Sequence, residues 1–267
     1  MWHLSRALLL ASILLGTGCI NLKEETDQTK DWSAERLYQE AKSALHQDEY
    51  ERAVGYLEKL EARYPYGNYA AQSQLDVAYA YYRDHEPTLA LAAAERFIRL
   101  HPTHPFVDYA YYLKGLIHFK VKRGAFDWLL GANIDYSDRD PEAMRQSIAA
   151  FRDLIKRFPD SKYAPDSHQH ITYLINLRAK YEIHVARHYY KYGAYVATVN
   201  RCKYVLENFQ NTPAVEDALG IMSMAYLKMG YTGLMRDTER VLNLNFPNSR
   251  YLRKLSALRN GNEEESS

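Results

Sequence analysis

Apolar residues recur every three or four positions over most of the chain beyond residue 32, with polar and charged residues between them. Leu37, Ala41 and Ala44 share one face of a helix at this spacing, and so do Leu75 and Ala78. This pattern is typical of amphipathic helices that bury one stripe of side chains. It predicts helix pairs over residues 33–47 and 50–63, 68–83 and 87–100, 105–121 and 141–157, 163–191 and 194–208, and 213–229 and 232–245, with a capping helix over 248–259.

A short motif recurs at the end of most of these pairs: an aromatic residue or leucine, followed closely by proline and small polar residues. It includes Pro65, Pro102, Pro159 and Pro247, with a weaker copy near residue 210. Pro65 and Pro102 are 37 residues apart, and residue 210 and Pro247 are again 37 apart, whereas the longer intervals between the other copies indicate insertions. Because proline cannot continue a helix, each copy ends the second helix of a pair.

A period in the middle thirties with a closing proline is typical of tetratricopeptide repeats. Ala53 and Ala90 lie 12 residues before the prolines of their repeats, and Ala41 and Ala78 lie 24 residues before them. Small side chains at matching positions let two helices approach closely. We therefore predict an all-α fold, an α-solenoid of about five tetratricopeptide-like helix pairs with a C-terminal capping helix, rather than a generic helical bundle. The concave groove of such a stack suits extended peptides or partner domains.

The first residues have the pattern of a bacterial lipoprotein signal peptide. Arg6 precedes a short apolar run that ends at Leu15, and small residues lead to Cys19, although Gly16 stands where such signals usually carry leucine. We predict cleavage after Gly18 and lipid on Cys19. A transmembrane anchor is the alternative, but residues 7–15 are too few to cross a bilayer core, which takes about 20.

These patterns predict the organisation of the whole chain. Residues 1–18 are the signal peptide, 19–31 a lipidated flexible tether, 32–259 the repeat domain and 260–267 a disordered tail. The amino-terminal repeats take up about residues 32–121 and the carboxy-terminal repeats about 141–259. The insertion at 122–138 contains an apolar cluster around Trp128, which either folds back onto the repeats or docks a partner.

Composition narrows the function classes. The formal net charge is +1, which argues against a polyanion such as DNA as the main partner. Only two cysteines occur, and once Cys19 is lipidated Cys202 has no disulfide partner, so a disulfide scaffold is excluded. The chain holds 24 tyrosines, whose apolar rings and polar hydroxyls suit half-buried helix faces and binding surfaces.

Several segments resemble one known family. They are YPYG at residues 64–67, LDVAYAYY at 75–82, RFIRLHPTHP at 96–105, SDRDP at 137–141 and ATVNR at 197–201. Together they resemble the BamD family, the outer-membrane lipoproteins of the β-barrel assembly machinery, once called competence lipoproteins. The resemblance runs from Cys19 to about Pro247, and the segment at 96–105 is its most specific part.

The resemblance implies a non-enzymatic protein without cofactors, lipid-anchored at the periplasmic face of the outer membrane. It implies a complex with the barrel insertase BamA through its POTRA domains and with other assembly lipoproteins. The carboxy-terminal repeats would contact the insertase, and Arg201 matches an arginine of that interface. The amino-terminal repeats would recognise unfolded outer-membrane proteins. Ile20 follows the lipidated cysteine where aspartate would favour the inner membrane, which fits the outer membrane.

Four tyrosines are candidate substrate-binding residues. Tyr66 and Tyr69 flank the turn at Pro65 and are expected to be exposed. Tyr79 and Tyr82 lie on or near the predicted groove wall, where tyrosines at helical spacing also serve as packing residues. Arg201 has its own alternative, because an arginine on a repeat helix is commonly solvated or paired within the chain.

Other chemistries are possible but have weaker support. His184 and His188 are four residues apart and share a helix face, a spacing that could hold zinc in a metal-dependent hydrolase, but no HExxH motif surrounds them. We therefore predict no metal site. An envelope lipoprotein that binds peptidoglycan or aids DNA uptake is the main alternative function.

Overall fold

The computed structural model describes residues 27–119 and 141–264, and all regular secondary structure in these residues is α-helical. The predicted signal peptide, Cys19 and the insertion at 122–138 lie outside the described residues. The helices are α1 (Ala34–His46), α2 (Tyr50–Arg63), α3 (Ala70–Arg83), α4 (Pro87–Leu100), α5 (Val107–Phe119), α6 (Pro141–Arg157), α7 (Ala164–Lys191), α8 (Tyr195–Asn208), α9 (Ala214–Lys228), α10 (Thr232–Asn245) and α11 (Arg250–Glu264).

Each helix packs on the next one along the chain, so that α1 to α10 form five consecutive pairs in the described part of the molecule. First helices of neighbouring pairs also touch: α3 contacts α5, and α7 contacts α9. The last helix, α11, covers the end of the stack by packing on α9 and α10. The prediction of an α-solenoid with a capping helix is confirmed.

Four of the pairs turn through the same three-residue connection. Its middle residue has a left-handed backbone, at Asp48 (φ 59°), His85 (φ 65°), Gly193 (φ 74°) and Gly230 (φ 76°). The next amide donates to the carbonyl oxygen five residues earlier, at 2.9 Å in all four turns. This is the hydrogen bond of a helix-ending Schellman motif, which satisfies a carbonyl that the helix leaves unpaired.

Small residues set the distance between the helices. The alanines that the repeat aligned, Ala41, Ala53, Ala78 and Ala90, are all fully buried. Two glycines allow still closer contact with a ring. A Cβ on Gly220 of α9 would lie 2.1 Å from Cγ of Tyr251 in α11, and one on Gly115 of α5 would lie 2.4 Å from the ring of Phe151.

Both ends of the repeat domain differ from the predicted boundaries. Residues 27–31, predicted as part of a flexible tether, instead contact α2, and Thr29 is only 5% exposed. Hydrogen bonds from Lys59 and Arg63, near the end of α2, to Asp27 and Thr29 hold this segment in place. Helix α11 continues to Glu264, so it includes residues 260–264 of the predicted disordered tail. Within the described residues there is no helix whose length and hydropathy would suit it to span a bilayer.

Candidate partner-binding surfaces

Tyrosines from the first helices of several pairs come together along the amino-terminal part of the stack. The Tyr38 and Tyr69 rings stack at 4.8 Å, and the Tyr112 and Tyr163 rings stack at 4.7 Å. Tyr109 links the two groups, because its ring is 5.4 Å from that of Tyr163 and it packs against the same buried cluster as Tyr82 of α3. We call this set the tyrosine stripe; its members are Tyr38, Tyr69, Tyr79, Tyr82, Tyr109, Tyr112 and Tyr163.

A buried carboxylate lies at one end of the stripe. Asp76 of α3 accepts hydrogen bonds from the Tyr38 hydroxyl at 3.1 Å and the Gln72 amide at 2.9 Å, and Lys42 Nζ is 3.5 Å away. The Asp76 side chain is only 10% exposed. Burial, reinforced by the negative charge of Asp76, raises the pKa of Tyr38 well above its ordinary value. Tyr38 therefore stays neutral and keeps its proton for donation.

A second carboxylate lies at the other end. Oδ2 of Asp166 in α7 accepts a hydrogen bond from the Tyr112 hydroxyl, and the His170 ring nitrogen Nε2 lies 3.1 Å from the same oxygen. The His170 ring in turn stacks on Phe151 at 5.0 Å. Burial and the hydrogen bond to Asp166 raise the pKa of Tyr112. The stripe thus combines aromatic faces, neutral hydroxyl donors and two carboxylate acceptors.

The four predicted tyrosines occupy different environments. Tyr66, in the turn between α2 and α3, is 100% exposed, as its position beside Pro65 suggested. Tyr69 is held by stacking on Tyr38. The Tyr79 hydroxyl accepts a hydrogen bond from Arg83 Nη1 at 2.6 Å, and Tyr82 packs in part against the core. The structure therefore brings Tyr69, Tyr79 and Tyr82 into the stripe and leaves Tyr66 outside it.

The sequence did not point to four of the stripe tyrosines or to the two carboxylates at its ends, namely Tyr38, Tyr109, Tyr112, Tyr163, Asp76 and Asp166. All of them lie on or next to the first helix of a pair. The available signal was the concentration of tyrosines in these first helices, which distinguishes them from the alanine- and leucine-rich second helices. The partnership between a tyrosine and a carboxylate one repeat away has no local pattern and could not be read from the chain.

Arg201 lies in α8 and is paired within the chain. Its Nη1 is 3.0 Å from Oε2 of Glu182 in α7, and the Arg201 side chain remains 44% exposed. Burial opposes the charge, but attraction to Glu182 outweighs it and raises the pKa of Arg201. A guanidinium has five N–H donors, so the exposed part of Arg201 can still donate to a partner. Both alternatives for this residue, an internal ion pair and an exposed contact, are compatible with this geometry.

Two remaining candidates for chemistry, Cys202 and His188, are packed against other side chains. Cys202 is fully buried, and burial raises the pKa of its thiol to about 12, which keeps it protonated. The His188 ring packs on Tyr192 at 4.7 Å. In the part of the chain that the structure describes, no group of three or more histidine, cysteine, aspartate or glutamate residues could hold a metal ion.

Comparison with known proteins places the chain. A family model described as "YfiO: Outer membrane lipoprotein" matches residues 30–242. The "Outer membrane protein assembly factor BamD" of Neisseria meningitidis serogroup A is 49% identical over 224 residues, which cover 84% of this chain and 83% of that protein. The chain belongs to the BamD (YfiO) family of outer membrane lipoproteins.

A second relative agrees with this assignment. The BamD of Vibrio cholerae is 36% identical over 238 residues, covering 89% of this chain and 96% of that protein. Among solved structures, the P58(IPK) tetratricopeptide-repeat domain is similar at 14% identity and a TM-score of 0.39, covering 87% of this chain and 66% of that one. Membership of the BamD family confirms the resemblance noted from the sequence, the outer-membrane location and the non-enzymatic class.

Proposed function

We propose that the protein is a non-enzymatic subunit for the assembly of outer-membrane β-barrel proteins. It scaffolds the barrel insertase through its carboxy-terminal repeats and recognises unfolded barrel proteins through its amino-terminal repeats. Relatives that cover most of the chain are named outer membrane protein assembly factors, which supports the general role. The observation that carries the substrate role is the tyrosine stripe with a carboxylate at each end.

The chemistry of the stripe fits an unfolded barrel strand. Such a strand is extended, carries aromatic side chains at alternate positions and has unpaired backbone N–H and C=O groups. The two carboxylates can accept from backbone amides, neutral tyrosine hydroxyls can donate to carbonyls, and the rings can pack on aromatic side chains. Outside the stripe, Tyr66 offers a separate, fully exposed ring at the turn before α3.

Substrate recognition can be tested with full-length protein and a peptide copy of an extended, aromatic-ended barrel strand. Tyr112→Phe removes the hydroxyl that donates to Asp166 but keeps the ring, and Tyr66→Ala removes an exposed ring. We expect each change to weaken peptide binding at least threefold. Tyr231→Ala, an exposed tyrosine of the carboxy-terminal repeats, is the control and should bind normally. If all three variants bind the peptide as tightly as the wild-type protein does, the stripe has no role in substrate recognition.

The insertase contact is proposed to include Arg201. Arg201→Glu would place a second carboxylate beside Glu182 and remove the donors offered to the partner. We expect at least tenfold weaker association with the insertase, measured by co-purification of tagged, lipidated protein from gently solubilised membranes. The matched control is Arg240→Glu, an exposed arginine of α10 that pairs with Asp237 three residues before it. Unchanged co-purification of Arg201→Glu would remove this residue from the interface.

The same purification tests the function as a whole. Recovery of the insertase, with other assembly lipoproteins, at comparable stoichiometry is the expected result. If the insertase is absent while other envelope complexes survive, a role in peptidoglycan binding or DNA uptake becomes the leading hypothesis. Salt-dependent DNA binding by the purified protein would separate these two outcomes.

A further inference from the structure

A short segment before the first helix is fastened to the end of α2. The Asp27 carboxylate accepts from Lys59 Nζ at 2.9 Å and from Arg63, and Arg63 also donates to the backbone carbonyl of Thr29 and, at 3.1 Å, to its hydroxyl. The Thr29 hydroxyl and amide both donate back to Asp27, at 2.8 and 3.1 Å. We call residues 27–32 the amino-terminal strap.

The other end of the strap is also fixed. The carbonyl of Trp32 accepts a hydrogen bond from the Tyr64 hydroxyl at 2.9 Å. The Trp32 ring lies 5.7 Å from that of Tyr56, and the Arg36 guanidinium lies 4.3 Å above it. Hydrogen bonds from Lys59 and Thr29 lower the pKa of Asp27 well below its ordinary range, so its charge is present at neutral pH. Polar and aromatic contacts therefore hold both ends of the strap against the first repeat.

The strap changes how many residues lie between the proposed lipid and the first point of attachment to the repeat domain. Seven residues, 20–26, separate Cys19 from Asp27, but 13 residues separate Cys19 from Ser33, the residue that caps α1. A fully extended chain advances about 3.5 Å per residue, so the reach is about 28 Å with the strap bound and about 49 Å with it released. The strap thus removes close to half of the available length.

We propose that the strap shortens the tether and holds one end of the first repeat, the start of α1 and the end of α2, close to the membrane surface. The partner is the bilayer to which the chain is anchored, and the proposal rests on the proposed lipid at Cys19. A short tether raises the local concentration of this end of the stack at the bilayer. The strap would therefore set the height at which the tyrosine stripe is presented below the membrane.

The test uses full-length lipidated protein in vesicles of phosphatidylethanolamine and phosphatidylglycerol that carry a nitroxide quencher on some headgroups. A fluorophore is attached at Asn68→Cys, in the exposed turn at the strapped end, or at Glu51→Cys, in the first turn of α2. Cys202 is buried and does not compete for the label. Arg63→Gln releases the strap, and Arg52→Gln is the control because Arg52 pairs with Glu49 at the start of its own helix.

We expect stronger quenching at Asn68→Cys than at Glu51→Cys. Arg63→Gln should reduce quenching at Asn68→Cys at least twofold, and Arg52→Gln should leave it unchanged. Deleting residues 21–26 from the Arg63→Gln variant returns the free chain to seven residues and should restore the quenching. Local unfolding would not be corrected by a shorter tether, so this rescue distinguishes tether length from damage to the fold.

Two results would overturn the proposal. Quenching that is unaffected by Arg63→Gln, or not restored by the deletion, shows that the strap does not set the distance to the membrane. Failure of the wild-type protein to float with the vesicles shows that the lipid anchor is absent, and the strap then has no membrane to act on. Neither result bears on the insertase contact, which co-purification measures separately.

Discussion

The two ends of the stack each hold one carboxylate on the first helix of a pair, but the groups that bind it differ. Asp76 is bound by a tyrosine hydroxyl and an amide, with one lysine at 3.5 Å. Asp217 is bound by the Tyr251 hydroxyl at 2.6 Å and by Arg187 and Arg250, both at 2.8 Å. Neutral donors can be exchanged for those of a ligand at little cost, whereas two guanidinium groups fix a carboxylate in place. The amino-terminal network suits recognition, and the carboxy-terminal network fastens α11 to the stack.

Apolar packing is also more extensive at the carboxy-terminal end. The carboxy-terminal helices share one continuous cluster of buried side chains that runs from Ala179 in α7 to Leu255 in α11. The amino-terminal helices instead contain several smaller clusters, centred on residues such as Leu57, Ala80 and Phe97. In a repeat protein, where each unit depends on its neighbours, a continuous core favours cooperative unfolding.

Gly220→Ala should have the largest effect. The added Cβ would overlap the Tyr251 ring at 2.1 Å, so α11 must shift or leave the stack. We expect the free energy of unfolding, measured by urea denaturation, to fall by about 3 kcal/mol, in the range for overpacked cores. Gly233→Ala in α10 is the control, since a Cβ there meets nothing within 4 Å.

A second variant tests the cause of this loss. Gly220→Ala combined with Tyr251→Ala removes the overlap, so the cost of the pair should be well below the sum of the two single costs. Additive costs would mean that the ring and the glycine are not in contact, and the close junction between α9 and α11 would be wrong.

Asp217→Asn should cause the second-largest loss in the free energy of unfolding, and Asp76→Asn a smaller loss. At Asp217 the change leaves two arginines facing a neutral amide, and we expect a loss of about 2 kcal/mol because charge-assisted hydrogen bonds are removed. At Asp76 an asparagine can still accept from Tyr38, and the nearby Lys42 is partly exposed. We expect a loss of about 1 kcal/mol there. Equal losses in urea denaturation would contradict the proposed difference between the two networks.

Acid should weaken the network around Asp217. Burial alone would raise the pKa of Asp217, but hydrogen bonds from Tyr251 and Arg250 and the charge of Arg187 outweigh it and lower the pKa. A carboxyl with a lowered folded-state pKa stabilises the fold above its unfolded value near 3.9 and loses this contribution as the pH falls further. The difference in stability between wild type and Asp217→Asn should therefore be constant above about pH 5 and shrink below about pH 4. A constant difference down to pH 3 would exclude Asp217 as the titrating group; exposed Asp237→Asn is the control.

The sequence was sufficient for the helices but not for the contacts between them. The prolines and the spacing of small residues predicted the helix pairs, because these signals depend on residues within one helix or one turn. Asp217 reaches Arg187 and Arg250 across 30 and 33 residues, and no local pattern encodes such a pairing. The strap was missed for the same reason: residues 27–31 are polar without periodicity, and only the end of α2, more than 30 residues away, orders them. The candidate tyrosines were found in part because tyrosine itself marks the first helices.

The smallest expected effect lies in the turns, where the two ends place different residues in the same left-handed backbone conformation. The amino-terminal turns place Asp48 and His85 in the left-handed region, whereas the carboxy-terminal turns use Gly193 and Gly230. A side chain strains this conformation, and glycine does not, although glycine also loses more backbone entropy on folding. His85→Gly should therefore raise the free energy of unfolding by about 0.5 kcal/mol, and Gly230→Ala should lower it by about 1 kcal/mol. Thermal or urea denaturation measures both changes, and a loss of stability in His85→Gly would show that the histidine makes a contact that offsets its backbone strain.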